Sequence, residues 1–374
     1  MNLPLSYLEI SRDALRHNVA AIRRVVGRHQ QVMAVVKANA YGHGIAQVVE
    51  AIDDVVDAFQ VDDIEELREL RNHTEKRALV LGYIQPSELP EAVALNAELA
   101  VYDQERLHIL SEIATPESPV RIHLKVDALL GRQGLLPASL PPFLEALRRA
   151  PHVQLAGVYS HFSNLEDTSS HEHGDAQLAL FEVAVEMIRE AGFKHFEEHI
   201  SSSAGILTYE GNRSKRPLVR LGISLYGLYP SPQLAAEYEP LELQPALRWR
   251  TSLAQVKDIP AGHPVGYGLT YIAPHPIRLG IVPQGYSDGY DRLLSSKGEV
   301  LIKSTRCPVL GRVAMNMFAV DVTQLAKVSA GDTVVLLGEE GEDRVSAEEL
   351  ASHSQTINYE VVARLNPLLP RLLV

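Results

Sequence analysis

The stretch VMAVVK at residues 32–37 is the first of eight short apolar runs that decide the fold. Each of the first seven runs is followed by a segment that can form a helix. Short runs rich in Val, Ile and Leu, separated by helices, are typical of a parallel sheet buried on both faces. The other runs are AFQV (58–61), ALVLG (78–82), LAVY (99–102), RIHLKV (121–126), LAGVYSH (155–161), EEHIS (197–201) and PLVRLG (217–222).

The helical segments are identified by the spacing of their apolar residues. Ile64, Leu67 and Leu70 recur every three residues after the second run, and charged residues fill most positions between them. Eight strand–helix units within about 200 residues predict an α/β fold of the (β/α)8 TIM-type barrel class. The run EEHIS is polar and carries the least apolar signal of the eight.

The pattern changes in the last third of the chain. The stretch between Tyr229 and Pro245 is rich in Pro, Ser and Glu, which is typical of a linker between domains. Short alternating runs follow, such as RLGIVPQGY (278–286) and TVVLLG (333–338). Such runs, interrupted by Gly and Pro, predict a second domain that is rich in β-strands.

We therefore expect a barrel domain at residues 1–240 and a C-terminal β-rich domain at residues 241–374. A helix over residues 351–365 is expected to close the second domain. The opening segment YLEI (7–10) has no place among the eight barrel runs, so it could pair with the second domain.

Composition excludes several classes of protein. The chain of 374 residues has a net charge of −12, and a negative surface repels nucleic acid. No eighteen consecutive residues are apolar, and the N-terminus lacks the pattern of a signal peptide, so we expect no membrane partner. Cys307 is the only cysteine and cannot form an internal disulfide, which fits a cytoplasmic protein.

Polar residues stand at the ends of several apolar runs. In barrels of this class the catalytic groups lie at the C-terminal ends of the strands, so these residues are expected to converge on one rim. They are Lys37, Lys125, Asp127, His161, Ser201 to Ser203, Arg220 and Gly222.

Lys37 closes a strongly apolar run, so we expect its side chain to be partly desolvated. Desolvation favours the neutral amine, which is the nucleophile needed to form an imine with an aldehyde. The alternative is a lysine that reaches from a strand end into solvent. Spacing alone leaves both readings open.

The serines after the seventh run could hold a phosphate. Ser201 to Ser203 precede Ala204 and Gly205 and resemble the start of a helix, where backbone N–H groups are free. Gly222 would let the backbone approach the same group. The alternative is ordinary capping of the helix by serine.

Other polar residues have structural alternatives. His161 could be a core histidine or could lie beside an aromatic cofactor, and Arg220 could pair with a carboxylate. Lys125, Asp127 and Arg132 could be a structural charge cluster. We predict no metal site, because His171–His173 has no matching ligand set.

The stretch VVKANAYGHG (35–44) resembles the pyridoxal-phosphate lysine motif of the alanine racemase family. The resemblance covers nearly the whole chain, and its second-domain motifs are the more specific to racemases. The further motifs are HLKVDALLGRQG (123–134), GVYSHF (157–162), SSSAG (201–205), VRLGISLYGLYP (219–230), VGYGLTY (265–271), GYSDGY (285–290), CPVLGRVAMNMF (307–318) and TINYE (356–360).

The resemblance implies a cytoplasmic homodimer that interconverts L- and D-alanine and supplies D-alanine for peptidoglycan. Lys37 would carry pyridoxal 5'-phosphate as an imine and act as one acid–base group, and Tyr267 of the partner subunit would be the other. Racemisation requires a group on each face of the substrate carbon, which accounts for the two.

The resemblance also implies the contacts of the cofactor and the substrate. His161 would lie behind the cofactor ring, Arg220 would face its pyridine nitrogen, and Lys125 carries a carbamate in some family members. Phosphate contacts would come from Tyr41, Ser203, Gly222, Ile223 and Tyr359, and substrate contacts from Arg132, the Met315 backbone and, at the entrance, Tyr286.

Five positions depart from the usual family pattern. Leu129 replaces a common glycine, Ser202 a frequent asparagine and Gly266 a serine. Ala314 and Asn316 stand where cysteine and aspartate are usual. Because the last two should line the substrate side, they could widen the range of amino acids.

Three alternatives to an alanine-specific enzyme are therefore kept. One is a racemase of broader specificity in the same family. Another is a pyridoxal-phosphate decarboxylase of basic amino acids, although such enzymes typically use a cysteine of the second domain. The third is a non-catalytic cofactor-binding protein, which would not need the second domain.

Overall fold

The computed structural model describes residues 3–166, 170–210, 216–238 and 241–374. The chain forms two compact units. Unit 1 contains the N-terminal residues through Arg12, the segment Asn39–Val48 and Pro245–Val374, and unit 2 contains Asp13–Ala38 and Val49–Gln244. The domain boundary predicted at residue 240 lies outside the described residues.

Unit 2 contains the predicted barrel. Its sheet of eight parallel strands is nearly closed, and at the seam the Arg220 backbone N–H donates to the Ser201 carbonyl at 3.1 Å. All eight predicted runs are strands, including the polar EEHIS, so the (β/α)8 fold class is confirmed. The strands are β2 (Gln31–Val35), β3 (Ala58–Val61), β4 (Ala78–Val80), β5 (Ala97–Val101), β6 (Val120–Lys125), β7 (Val153–Tyr159), β8 (Glu197–His199) and β9 (Leu218–Leu221).

Helices alternate with these strands as the apolar spacing predicts. In α4 the residues Ile64, Leu67 and Leu70 are buried, and the Asp63 carboxylate caps the helix by accepting from the Glu66 N–H at 2.9 Å. The helices of this part of the chain are α1 (Arg12–Val26), α2 (Lys37–Tyr41), α3 (Ile45–Ile52), α4 (Ile64–Arg71), α5 (Leu89–Ala94), α6 (Gln104–Ile113), α7 (Leu140–Arg148), α8 (Glu172–Glu190), α9 (Ser203–Gly205) and α10 (Pro232–Glu237).

The turn α2 is left-handed. Its residues Ala38 to Tyr41 all have φ between 51° and 53°, a conformation that L-residues adopt at a cost of about 1–2 kcal/mol each. In unit 1, Gly42 continues the turn at φ 81°, and a Cβ there would lie 1.9 Å from the Val362 carbonyl oxygen. This turn follows Lys37 directly, so the chain leaves that lysine along an unusual path.

Unit 1 is rich in β-strands, as predicted. Its main sheet runs in the order β11-β14-β17-β16-β15-β18-β10-β1-β20, with β19 paired to β18 and β12 paired to β13. Strand β1 (Tyr7–Ile10) lies antiparallel to β10 and parallel to β20. The other strands are β10 (Leu247–Ser252), β11 (Gln255–Ile259), β12 (Pro264–Val265), β13 (Tyr271–Ile272), β14 (Ile277–Val282), β15 (Glu299–Ile302), β16 (Thr305–Leu310), β17 (Phe318–Asp321), β18 (Thr333–Glu340), β19 (Asp343–Val345) and β20 (Arg371–Leu373).

The structure differs from the sequence predictions at two places, and one prediction is wrong. The single helix expected over residues 351–365 is two helices, α11 (Ala347–Ser354) and α12 (Asn358–Ala363), because Gln355 is left-handed at φ 56°. The second of these differences is one of detail only: the expected linker contains helix α10, which Ser231 caps by accepting from the Leu234 N–H, and the division between the two units falls within it. None of the described helices combines the length and apolar character that crossing a membrane requires.

Candidate active site

Lys37 lies directly after the end of β2, next to a carboxylate from the neighbouring strand. Its Nζ atom is 3.5 Å from the Oδ1 atom of Asp62, which follows β3. The Lys37 side chain is 40% exposed and that of Asp62 is 49% exposed. The lysine is therefore partly buried, and it has an anionic neighbour that the sequence did not predict.

Arg220 on β9 is buried and bonded to neutral groups. It donates to the Nδ1 atom of His199 at 2.8 Å, to the carbonyls of Ser160 and Ile200 at 2.9 Å, and to the Nδ1 atom of His161 at 3.2 Å. Burial lowers the pKa of Arg220 to about 10. No described carboxylate lies within salt-bridge distance, so the alternative of a carboxylate pair for Arg220 is wrong.

A chain of hydrogen bonds continues from Arg220 into the barrel. Because arginine can only donate, the His199 Nδ1 atom must accept and its Nε2–H must donate to the Nδ1 atom of His123 at 2.8 Å. The Nε2–H of His123 then donates to the Oε2 atom of Glu98 at 2.8 Å. Burial and the neighbouring Arg220 hold the pKa of His199 well below its usual value, so this ring is neutral.

The buried chain ends on a carboxylate held by arginines. Glu98 contacts Arg77 at 3.0 Å and Arg121 at 2.8 Å, near the N-terminal ends of β4 and β6. Burial alone would raise the pKa of Glu98, but the bonds from His123 and Arg77 lower it to about 2. Sequence reasoning missed this network, although its members are polar residues inside buried apolar runs.

Tyr159 and Lys125 complete the buried part of the barrel end. The Tyr159 ring stacks on His199 with centroids 5.0 Å apart, and the Lys125 Nζ atom lies 5.4 Å from the Tyr159 centroid. Burial, together with the charges of Arg132 and Arg220, lowers the pKa of Lys125 to about 8. The buried Tyr159 hydroxyl has no hydrogen-bond partner in the described part of the chain.

The three serines after β8 have different roles. Ser203 begins α9, as predicted, and its Oγ atom accepts from the Gly222 N–H at 3.1 Å. The Ser201 hydroxyl donates to the buried Glu210 carboxylate. Ser202 is at the capping position but makes no side-chain capping bond, so the capping alternative is wrong for this residue. Ile223 opens the short helix that follows Gly222.

The loop after β6 contains Arg132. Asp127 holds the loop by accepting from the N–H groups of Leu130 and Gly131 at 2.9 and 3.0 Å. Leu129 is left-handed at φ 63°, which explains why glycine suits that position. Arg132 is exposed and contributes positive charge at this end of the barrel.

Unit 1 brings together the remaining predicted residues in two groups. The rings of Tyr41 and Tyr359 lie 6.2 Å apart. In the other group, Tyr267 and Met315 line the same cavity, and the Tyr286 N–H donates to the Ala314 carbonyl at 3.1 Å.

Tyr267 itself is 71% exposed. It opens a short turn in which Gly266 and Gly268 have φ of 74° and 75°, values that favour glycine. A Cβ at Gly268 would lie 3.0 Å from the Arg312 side chain. The turn therefore presents the phenol outward from its own unit.

The barrel end of unit 2 is rich in positive charge. Lys37, Lys125, Arg132 and Arg220 are grouped there, and among the described residues only Asp62 is a carboxylate within salt-bridge distance of any of them. A phosphate and a substrate carboxylate would balance these charges. The donors of Ser203 and α9, and the unpartnered Tyr159 hydroxyl, fit a phosphorylated aromatic cofactor.

Comparisons with known proteins agree with this architecture. The family model for the N-terminal domain of alanine racemase matches residues 10–230, and that for the C-terminal domain matches residues 246–373. The alanine racemase of Symbiobacterium thermophilum is 36% identical over 369 residues, which cover 98% of this chain and 96% of that protein.

Solved structures give the same result. The alanine racemase from D-cycloserine-producing Streptomyces lavendulae is 33% identical with a TM-score of 0.93, over 100% of this chain and 98% of that one. The biosynthetic alanine racemase from Pseudomonas aeruginosa is 32% identical with a TM-score of 0.85, over 100% of both chains. On these matches, the chain belongs to the alanine racemase family and is an enzyme of the amino-acid racemase class.

Proposed function

We propose that the enzyme interconverts L- and D-alanine with pyridoxal 5'-phosphate held on Lys37. The observation that carries the proposal is the cation-rich barrel end, in which the charges of Lys37 and of the buried Arg220 both act on Lys125 and His161. Two acid–base groups would act on opposite faces of the substrate: Lys37 and Tyr267 of the partner subunit in a homodimer.

The bound cofactor would supply a conjugated ring that accepts electrons from the substrate Cα–H bond. Lys37 would remove or return a proton on one face of that carbon, and Tyr267 of the partner subunit would do so on the other. Arg132 and the Met315 backbone would bind the substrate carboxylate.

Arg220 would face the pyridine nitrogen and leave it unprotonated, because arginine does not give up its proton in proteins. The hydrogen bonds of Arg220 to His199 and to two carbonyls support this role, since they fix the guanidinium without neutralising its charge. A weaker electron sink favours return of the proton to the substrate carbon, which is racemisation.

The remaining residues would position the ligands. The proposed phosphate contacts are Ser203, Gly222 and Ile223 within unit 2 and, within unit 1, Tyr41 and Tyr359. In addition, His161 would lie behind the ring and Tyr286 would help form the entrance.

Lys125 would carry a carbamate. Its amine is buried and has a pKa of about 8, so part of it is neutral near pH 7 and can attack CO2, with loss of one proton. The resulting negative charge would lie beside Arg132 and Arg220. Mass spectrometry under native conditions should find a labile CO2 adduct that disappears in Lys125→Arg.

The experiment that tests the function is incubation of the purified enzyme with single amino acids in D2O. Alanine should lose optical rotation and gain one deuterium at Cα, whereas release of CO2 or absence of exchange would contradict the proposal. The Lys37→Ala variant should lose the visible absorbance of the lysine-bound cofactor.

The same assay settles the range of substrates. Ala314 and Asn316 line the cavity that Tyr267 also lines, and neither carries a thiol or a charge. Racemisation of serine, lysine or arginine at rates near that of alanine would favour a broader racemase. A cytoplasmic location and supply of D-alanine to peptidoglycan complete the proposal.

A further inference from the structure

Asp62 lies beside Lys37 although no sequence motif assigns it to the site. Lys37 follows β2 and Asp62 follows β3, and these strands pair in parallel. The two side chains therefore project from neighbouring strand ends, with Nζ and Oδ1 3.5 Å apart.

Several contacts fix the position of Asp62. Its backbone N–H donates to the Glu66 Oε2 atom at 2.9 Å, and its carbonyl accepts from the Gly82 N–H at 2.9 Å. A Cβ at Gly82 would lie 2.4 Å from the Asp62 carbonyl oxygen and 2.7 Å from the Asp62 Oδ2 atom. Glycine at 82 thus leaves the space that the carboxylate occupies.

Asp62 is also set apart by its charge. Of the four cations at this end of the barrel, Lys37 is the one with a described carboxylate within salt-bridge distance. The nearby Asp127 carboxylate is occupied by the N–H groups of Leu130 and Gly131.

The other charged groups around Lys37 do not replace the negative charge that would be lost with Asp62. Arg132 and Arg220 are cationic, and both lie with Lys37 around His161. Lys125 adds a positive charge only as the free ammonium, and a negative charge as the carbamate. His161 is neutral, because burial and Arg220 hold its pKa well below its usual value. Without Asp62, Lys37 would keep the two arginines in its surroundings and have no described carboxylate within salt-bridge distance.

We propose that Asp62 is a positioning residue that favours the cationic form of Lys37 and so strengthens Lys37 as a proton acceptor. A carboxylate at this distance stabilises an ammonium ion and opposes loss of its proton. In one direction the proton moves from the substrate Cα to Lys37 Nζ, and in the other it returns. Asp62 itself takes no part in the proton transfer and forms no covalent bond. This inference rests on the proposed function.

The test replaces Asp62 by the isosteric but uncharged asparagine in the cofactor-loaded enzyme. The visible absorbance of the bound cofactor is titrated with pH. In Asp62→Asn the midpoint should fall by about half a pH unit, as expected for loss of a half-exposed ion pair. Asp62→Glu should restore most of the shift.

A kinetic measurement shows whether loss of the Asp62 charge acts on the face of the substrate Cα that Lys37 serves. In Asp62→Asn the deuterium isotope effect on racemisation should rise for the enantiomer whose Cα–H faces Lys37. For the other enantiomer Lys37 returns the proton instead of removing it, so the isotope effect should stay constant or fall. A merely structural defect would change both isotope effects in the same direction.

The chain offers a matched control one residue away. Asp63→Asn makes the same change of charge, and asparagine still caps α4. Its midpoint should stay at the wild-type value. Gly82→Ala should displace the Asp62 carboxylate and lower the midpoint as Asp62→Asn does, which provides a second test if that variant does not fold.

An unchanged midpoint in Asp62→Asn, or an equal fall in Asp63→Asn, would overturn the inference. The proposed function fails separately. In that case the wild-type enzyme itself would show neither cofactor absorbance nor racemisation.

Discussion

The two candidate acid–base groups lie in regions of opposite character. At the barrel end of unit 2, Lys37 is 40% exposed and has an ion-pair partner, and Arg220 is 2% exposed and donates to His199 and to the Ser160 carbonyl. In unit 1, Tyr267 is 71% exposed, and its neighbours Leu269 and Met315 are exposed apolar residues. The chain itself therefore organises the first region, whereas an exposed phenol must be covered before it can act as a base in a water-excluded site.

The largest expected effect separates these two regions. Tyr267→Phe should reduce racemisation by about 10²–10⁴-fold, the range for loss of a general acid–base group. The fold should be unaffected, because the hydroxyl is exposed. Exchange of deuterium should persist for the enantiomer whose Cα–H faces Lys37, as measured by NMR in D2O. Tyr83→Phe, the same change at another exposed tyrosine, should leave the rate unchanged; a normal rate in Tyr267→Phe would remove that residue from the mechanism.

The next largest effect is expected for a variant that breaks the buried hydrogen-bond network of unit 2. Glu98→Gln should lower the free energy of unfolding by about 2–3 kcal/mol, because it places an amide N–H₂ against a guanidinium or a donating histidine. Glu197→Gln loses a bond to the same Arg77 at a more exposed site and should cost less than about 1 kcal/mol. Urea unfolding of both variants measures the difference, and equal losses would show that the network has no special stability.

A pH titration of stability compares one buried histidine from each unit. Burial lowers the pKa of His43 in unit 1 to about 4 and holds that of His199 in unit 2 well below its usual value. Both stay neutral in the folded chain while the unfolded chain binds protons below about pH 6.5. Stability should therefore fall from pH 6.5 towards pH 5, by up to about 1.4 kcal/mol per pH unit for each.

Histidine variants show which residue causes the dependence of the unfolding free energy on pH. His43→Gln should reduce the slope of unfolding free energy against pH, as measured by urea unfolding at constant ionic strength. His263→Gln, at an exposed position, should leave it unchanged. An unchanged slope in His43→Gln would show that this ring is protonated in the folded chain.

The smallest effect concerns the loop that contains Arg132. Leu129→Gly should raise the free energy of unfolding by less than about 1 kcal/mol, because glycine relieves the strain of φ 63° but adds freedom to the unfolded chain. Leu136→Gly, at φ −67°, gains no such relief and should be destabilising. Thermal melts of both variants check the sign.

Most of the fold could be predicted from the sequence, because the barrel repeats one local pattern eight times. Even EEHIS is a strand, since its neighbours supply the sheet. The prediction fails where the conformation of a single residue ends an element. Gln355 is such a residue, because its left-handed conformation divides the expected helix. The assignment of Asn39–Val48 to unit 1 rests on contacts distant in sequence, such as that of Gly42 with Val362.

The site could be predicted only in part. Lys37 and Arg220 could be singled out because they stand at the ends of apolar runs, and the position of a residue on a barrel strand can be read from the sequence. The partners Glu98, His123 and His199 were missed, since a hydrogen-bond chain depends on side chains that meet across several strands. The neighbour of Lys37 was missed for the same reason.

The buried hydrogen-bond chain from Arg220 to Glu98 can transmit polarisation, but it cannot conduct protons. Proton hopping requires every member to accept a hydrogen as well as donate one, and a guanidinium has no lone pair to offer. Every hydrogen in the chain points from Arg220 towards Glu98. The carboxylate can therefore polarise the distant guanidinium through two rings, but no proton can pass along this chain between Arg220 and the interior of the barrel.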